Sequence, residues 1–201
     1  LSAIIAFSAV LTVSAAVPGD ESSDITIAYT NDVHGRNSLD DYNKCIGFPK
    51  AKTIKDSVNA DLMLDAGDFY HGQAFATVEN GESMAEVMSA VGYDAMTLGN
   101  HDWNYGADQL LNLQKISGVP ILAGNVVKDG NEKFFDTDYI TKDVDGVKVG
   151  VFGVIDPEVY NATNPVLLDG IRYTDMYSYA QSMVEKLKAM DCKVVVALSH
   201  C

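Results

Sequence analysis

Four apolar runs in this chain each stop at a polar cluster of the same kind, and no other feature limits the fold as tightly. Ile25-Thr26-Ile27-Ala28-Tyr29-Thr30 runs into Asn31-Asp32-Val33-His34, and Leu62-Met63-Leu64 into Asp65-Ala66-Gly67-Asp68. Ala95-Met96-Thr97-Leu98 runs into Gly99-Asn100-His101-Asp102, and Val194-Val195-Val196-Ala197-Leu198 into Ser199-His200. Strands separated by helical segments must lie largely parallel, because a parallel neighbour needs a crossover long enough to hold a helix. In open sheets of that type, sites gather at the carboxyl ends of the strands, so clusters far apart in sequence can meet in space.

The segments between the strands carry the helical period. Pro49 suits the first turn of a helix from Phe48 to about Asn59. Met84, Val87, Met88 and Val91 form one apolar stripe that Gly92 can close, and at this spacing the methionines read as core rather than as ligands. Leu110, Leu113 and Ile116 mark a helix from Gly106 to Ser117, stopped by Gly118-Val119-Pro120. Met176, Ala180, Met183, Leu187 and Met190 mark a last one from Thr174 to Met190. Ile121-Leu122-Ala123 reads as a further short strand. Asp145-Gly146 predicts a hairpin between Tyr139-Ile140-Thr141 and Val147-Lys148-Val149-Gly150-Val151-Phe152, which makes the sheets mixed. Residues 194–198 are apolar on both faces, which predicts an interior strand.

Charge narrows the partners. A formal net charge of -14 repels a polyanion, so duplex nucleic acid is excluded as a partner. A small phosphate ester remains compatible where bound cations reverse the local field.

Leu1 to Val17 is apolar or small without a charge and precedes Pro18-Gly19-Asp20-Glu21-Ser22-Ser23-Asp24. This predicts a secretory leader and linker over residues 1–23, with cleavage after Ala15 or Ala16, ahead of one globular domain over 24–201. An uncleaved anchor is the alternative, and either places the domain outside the cytoplasm. Cys45, Cys192 and Cys201 are odd in number, and Cys192 and Cys201 flank one strand, roughly 30 Å apart. All three read as structural thiols.

The strand-end clusters supply the chemistry. Asp32 with His34, Asp68, Asn100 with His101, and His200 offer carboxylates, imidazoles and an amide oxygen. Each alone has an ordinary reading as a turn or cap residue. His71 also follows a strand but lacks the pattern, and reads as a surface turn residue. Together the set suits two divalent ions about 3.5–4 Å apart, Zn, Mn or Fe rather than Ca, which can clamp an in-line displacement at phosphorus. His101, beside a ligand but not needed as one, is positioned to stabilise the transferring phosphoryl group or to protonate the leaving oxygen.

These residues resemble the successive motifs of the calcineurin-like metallophosphoesterases: Asp32-Val33-His34, Gly67-Asp68, Gly99-Asn100-His101-Asp102 and Ser199-His200. Tyr29-Thr30-Asn31-Asp32-Val33-His34-Gly35-Arg36 and Thr97-Leu98-Gly99-Asn100-His101-Asp102 resemble the secreted bacterial 5′-nucleotidases more narrowly. The resemblance implies an α/β four-layer αββα sandwich with two mixed sheets. It also implies that Asp32 and His34 hold one ion, that Asp68 bridges, that Asn100 and His200 hold the second, and that His101 is the catalytic histidine. Asp102 has no part in this chemistry.

Two departures qualify the resemblance. The family's later Gly-His-x-His or Gly-His-x-Gln segment, which completes both ion sites, would lie beyond Cys201, as would a C-terminal domain that selects the nucleoside. Asn104 stands where many 5′-nucleotidases carry an Asp, and Asn104-Tyr105-Gly106 looks more like the 2′,3′-cyclic-nucleotide phosphodiesterases and 3′-nucleotidases. The implied activity is phosphate-ester hydrolysis on nucleotides. Cyclic-nucleotide or nucleotide-sugar hydrolysis is the enzymatic alternative, and a scaffold that only keeps the fold is the non-enzymatic one.

Overall fold

A computed structural model describes residues 9–15, 23–42 and 44–200. The first sheet takes strands β1 (Ala9–Ala15), β2 (Ser23–Thr30), β3 (Leu62–Asp65) and β4 (Ala95–Met96) in that order. Helices α1 (Phe48–Ser57), α2 (Ala74–Thr77) and α3 (Glu82–Val91) lie on the connections between its parallel strands. β1 pairs with β2 antiparallel, while β2–β3 and β3–β4 are parallel. β1 is drawn from the run read as a leader, whose residues 1–8 and 16–22 lie outside the described residues. After helix α4 (Ala107–Ser117), Ile121 bridges Met96 in parallel, so the strand expected at 121–123 is reduced to a single rung beside β4.

The second half holds β5 (Val126–Lys128), β6 (Tyr139–Val144), β7 (Val147–Ile155), α5 (Val159–Ala162), β8 (Ile171–Tyr173), α6 (Met176–Ala189) and β9 (Val194–His200). β6 and β7 form the expected hairpin, with Asp145 and Gly146 both at positive φ, 49° and 82°, as a two-residue primed turn requires. β7 then pairs with β9 in parallel from Val149↔Val194 to Ile155↔His200, so this sheet too is mixed. β5 and β8 form a separate antiparallel pair that the sequence gives no signal for.

Three apolar clusters hold these elements together. Met84, Met88, Leu110 and Leu113 pack with Met63, Met96 and Ala123 between the helices and the first sheet. Ile25, Ile27, Leu62 and Leu64 meet Val147, Val149, Val151 and Leu198 between the two sheets. Phe152 and Val154 meet Met183 and Leu187 between the second sheet and α6. Helix against sheet, sheet against sheet and sheet against helix are the interfaces an αββα stack requires.

One expectation fails. β9 is the edge of its sheet among the described residues, with Val194 to Val196 half-buried and Ala197 exposed. Its face toward the first sheet borders a cavity shared with Ile27, Tyr29 and Leu64. Apolar character on both faces records packing against the first sheet through Val194, Val196 and Leu198 and against the α6 cluster through Val195, and does not report a second paired neighbour. Cys45 and Cys192 are buried, as structural thiols should be, and Cys201 lies outside the described residues.

Candidate active site

The parallel register brings the strand-end clusters to one edge. Thr30 pairs with Asp65 and Asp65 with Met96, so the loops carrying Asp32, Asp68 and Asn100 leave the first sheet side by side. Main-chain bonds then clamp the first two loops together, with Asp32 N donating to Gly67 O (2.9 Å) and His34 N to Asp68 O (3.0 Å). His200, at the end of β9, enters from the second sheet.

Asp68 is the centre of the arrangement. Its Oδ2 lies 3.6 Å from His34 Nε2 and 3.7 Å from His200 Nε2, and Asp32 Oδ1 lies 3.8 Å from His34 Nε2. One ligand atom from each of Asp32, Asp68 and His200 falls within 4.8 Å of the other two. Asp68 Oδ1 is held separately by the His101 main-chain N–H at 2.7 Å. Burial pushes the Asp68 carboxyl up, opposed first by that N–H.

Both imidazoles are oriented in the same way. His34 Nδ1 faces the His71 carbonyl oxygen at 3.2 Å, and His200 Nδ1 faces the Ala66 carbonyl oxygen at 3.0 Å. A carbonyl can only accept, so each Nδ1 carries a proton and each Nε2 is the nitrogen turned toward the carboxylates. That is how a histidine prepared for a metal is held. Burial lowers the His34 pKa, favouring the neutral form that ligates. The residues present therefore fit divalent cations of the borderline kind.

The chain accepts local strain to build this centre. Asp32, His34 and Asp68 sit at positive φ, 51°, 46° and 59°, a region that costs a non-glycine residue on the order of 1–2 kcal/mol. Close approach also demands two glycines. A Cβ on Gly67 would stand 2.5 Å from Gly99 N, and one on Gly99 would stand 2.2 Å from Asp68 Oδ1.

Asn100 precedes the 3₁₀ turn His101–Trp103 but makes no side-chain capping bond to it, while Thr163 Oγ1 lies 3.1 Å from its main-chain oxygen. Its amide is thus left for another task. The His101 ring stands edge-on to His34, with centroids 5.1 Å apart, and Asn104 Nδ2 lies 3.0 Å from His101 Nδ1.

Two residues matter more than their sequence context suggested. Asp102 is fully buried, and its carboxylate accepts four main-chain N–H groups: Asp68 and Gly99 on Oδ2 (2.8 and 2.9 Å), Phe69 and Tyr70 on Oδ1 (2.9 Å each). Burial and then the charge of Asp68 push it up to about 6, against the pull of those amides. With both oxygens used as acceptors, the carboxylate is the form that fits. His71 is not a surface turn residue: it is half-buried, with its ring stacked on that of His101. A lone His after a Tyr gave no signal of either contact.

A sheet edge that gathers Asp32, His34 and His200 around the Asp68 carboxylate, with Asn100 on the neighbouring loop, is suited to holding divalent cations. The family model for calcineurin-like phosphoesterases matches residues 25–201, and the chain belongs to that family. It is similar to the 5′-nucleotidase of Rattus norvegicus, 32% identical over 91% of this chain and 34% of that protein. The calcineurin-like phosphoesterase YfkN of Bacillus subtilis superposes with a TM-score of 0.71 at 28% identity, over 88% of this chain and 61% of that one. The NAD nucleotidase NadN of Haemophilus influenzae shares the fold, with a TM-score of 0.75 at 24% identity over 95% of this chain and 34% of that one. The chain spans about a third of the length of the curated relatives it matches (34%).

Proposed function

We propose that the full-length protein is a two-metal phosphohydrolase that cleaves the phosphate esters of nucleotides, with 5′-nucleotides as its substrates. The observation that carries this is the pair of imidazoles, His34 and His200, each tied by Nδ1 to a main-chain carbonyl and each turning Nε2 toward Asp68. Asp32 and His34 hold one ion, Asn100 and His200 the other, and Asp68 serves both. When bound, a pair of Zn, Mn or Fe ions supplies Lewis acidity at phosphorus and positive charge in a strongly acidic protein. The 5′-nucleotidase relatives support the nucleotide as substrate.

The chain's own residues orient the reaction. Asp68 and Asp32 fix the cation pair against which the phosphoryl oxygens align, and Asp102 keeps the Asp68 loop from relaxing. His101, with Nδ1 engaged by Asn104, turns its other edge to the substrate and hands a proton to the departing oxygen. Recognition of the nucleoside falls to a C-terminal domain of the full-length protein.

Asn104 favours a second reading, 2′,3′-cyclic-nucleotide phosphodiesterase with 3′-nucleotidase activity. An amide on Nδ1 orients an imidazole without stabilising its cation, which suits a leaving group that needs less help from a strong acid. The protein acts outside the cytoplasm in this proposal, supported by the uncharged apolar run from Leu1 to Val17. Cleavage after Ala15 or Ala16 would remove β1 and leave β2 as the sheet edge. Among the described residues no helix is long and apolar enough to cross a membrane.

Hydrolysis by the full-length protein with Mn²⁺, followed as phosphate from 5′- and 3′-nucleotides and as the monophosphate products of 2′,3′-cyclic nucleotides and nucleotide sugars, tests the proposal. We expect metal-dependent release, fastest from 5′-nucleotides, and a fall of about 10²–10⁴ in kcat for His101→Ala with metal binding intact. Release that persists in a chelator, or wild-type turnover in His101→Ala, would overturn it.

A further inference from the structure

We propose that His71 is a positioning residue for His101, holding that imidazole at one orientation through the contact between their ring faces. The proposal rests on the catalytic role given to His101 above. His71 lies on the loop after Asp68, yet its ring runs parallel to that of His101, with centroids 5.6 Å apart and 6° between the planes. Tyr105 packs against His71 at 5.3 Å, and its own hydroxyl lies 3.4 Å from the Ala76 carbonyl oxygen. The rings thus form a continuous row, Tyr105, His71, His101 and His34, that starts on an anchored phenol and ends on the carboxylate cluster.

His101 needs such a support. Among the described residues its one side-chain bond, from Asn104 to Nδ1, fixes an atom and leaves the ring able to rotate about that contact. A parallel face removes the rotation, since a tilted ring would leave the stack. The main chain of the same loop secures the metal side of the site: the His71 carbonyl takes the His34 Nδ1 proton, and Gln73 N donates to His34 O at 2.9 Å. Residue 71 therefore ties His34 through its backbone and His101 through its side chain, so the two imidazoles keep a constant separation. Proton transfer to a leaving oxygen depends steeply on such alignment, and a displacement of about 1 Å can cost on the order of 100-fold.

The test compares His71→Ala, His71→Leu and His71→Phe in the full-length protein with Mn²⁺ and a 5′-nucleotide. Loss of the flat face in the Ala and Leu variants should lower kcat by about tenfold or more with KM within about twofold, while Phe, which restores a face without nitrogen atoms, should return kcat to within about threefold of wild type. Leu keeps the volume, so the Leu and Phe pair decides the matter even where Ala fails to fold. A readout free of turnover comes from the ¹⁵N imidazole resonances of His101 in the metal-free protein, identified by their loss in His101→Ala. They should hold their wild-type positions in His71→Phe and move toward free-imidazole values in His71→Leu. Wild-type kcat in His71→Leu, equal losses in Leu and Phe, or unmoved resonances in His71→Leu would each overturn the proposal. Wild-type kcat in His101→Ala would instead overturn the role of His101 itself, which keeps the two failures apart.

Discussion

Asp102 has the most demanding environment of any residue near the site. Four amides from two separate loops converge on its two oxygens, and removing the carboxylate strands all of them in a buried setting. We predict that Asp102→Ala destabilises the fold by about 3–5 kcal/mol in urea denaturation. Asp102→Asn should cost less but remain destabilising, because its NH₂ group must face two donors. Nothing local reports this role, since the donors other than Gly99 come from residues more than thirty positions earlier in the chain. The candidate ligands were legible because Asp32, His34, Asp68, Asn100 and His200 each follow a recognisable apolar run. Their left-handed backbone and the stack of His71 on His101 were not, because both arise from contacts between loops.

At the scale of elements, periodicity located the long helices within a residue or two, and cap chemistry explains their ends. α3 closes on Gly92 as expected, but part of its closure is tertiary: Lys55 Nζ, from α1, donates to the last carbonyls of α3 at Val91 (3.0 Å) and Gly92 (2.9 Å). Lys55→Met, which keeps the apolar stem, should lower stability by about 1 kcal/mol by chemical denaturation. Asp175 caps α6, its carboxylate accepting from Ser178 N at 2.8 Å, and bonds to Ser178 hold the carboxyl below its ordinary value of 3.8. A depressed folded value means that the cap contributes above the unfolded value and is lost as pH falls through the folded one. The melting temperature of Asp175→Ala should therefore sit a few degrees below wild type at neutral pH, with the gap closing once the medium is more acidic than the carboxylate range. The two-residue strand β4 and the single rung at Ile121 are shorter than their apolar runs, because burial alone selects those residues: Met96, Leu98, Ile121 and Ala123 pack in the helix-side core, and Ala95 and Leu122 between the sheets.

For the whole molecule, the order of the elements constrains the site more than any one contact does. Parallel pairing in the first sheet delivers three loops to one edge, and the β7–β9 pairing in the second delivers His200 to the same point, so the cluster forms only where both sheets pack face to face. The surrounding charge of -14 makes a cation-free cluster of carboxylates unfavourable for an anionic substrate, which the proposed divalent ions would reverse locally. The sequence revealed the α/β class, the mixed sheets and the strand ends that meet at one edge. It could not reveal that β9 has one paired neighbour among the described residues, because inter-sheet burial and strand pairing select the same apolar residues.

The central claim is that Asp68 joins two ion sites into one. Electron paramagnetic resonance of the full-length protein titrated with Mn²⁺ tests it most directly, because ions about 3.5–4 Å apart on a shared carboxylate are magnetically coupled. The account predicts two Mn²⁺ per chain and an exchange-coupled multiline signal that is lost in Asp68→Ala. A spectrum of isolated Mn²⁺ at saturation, unchanged by that substitution, would contradict it.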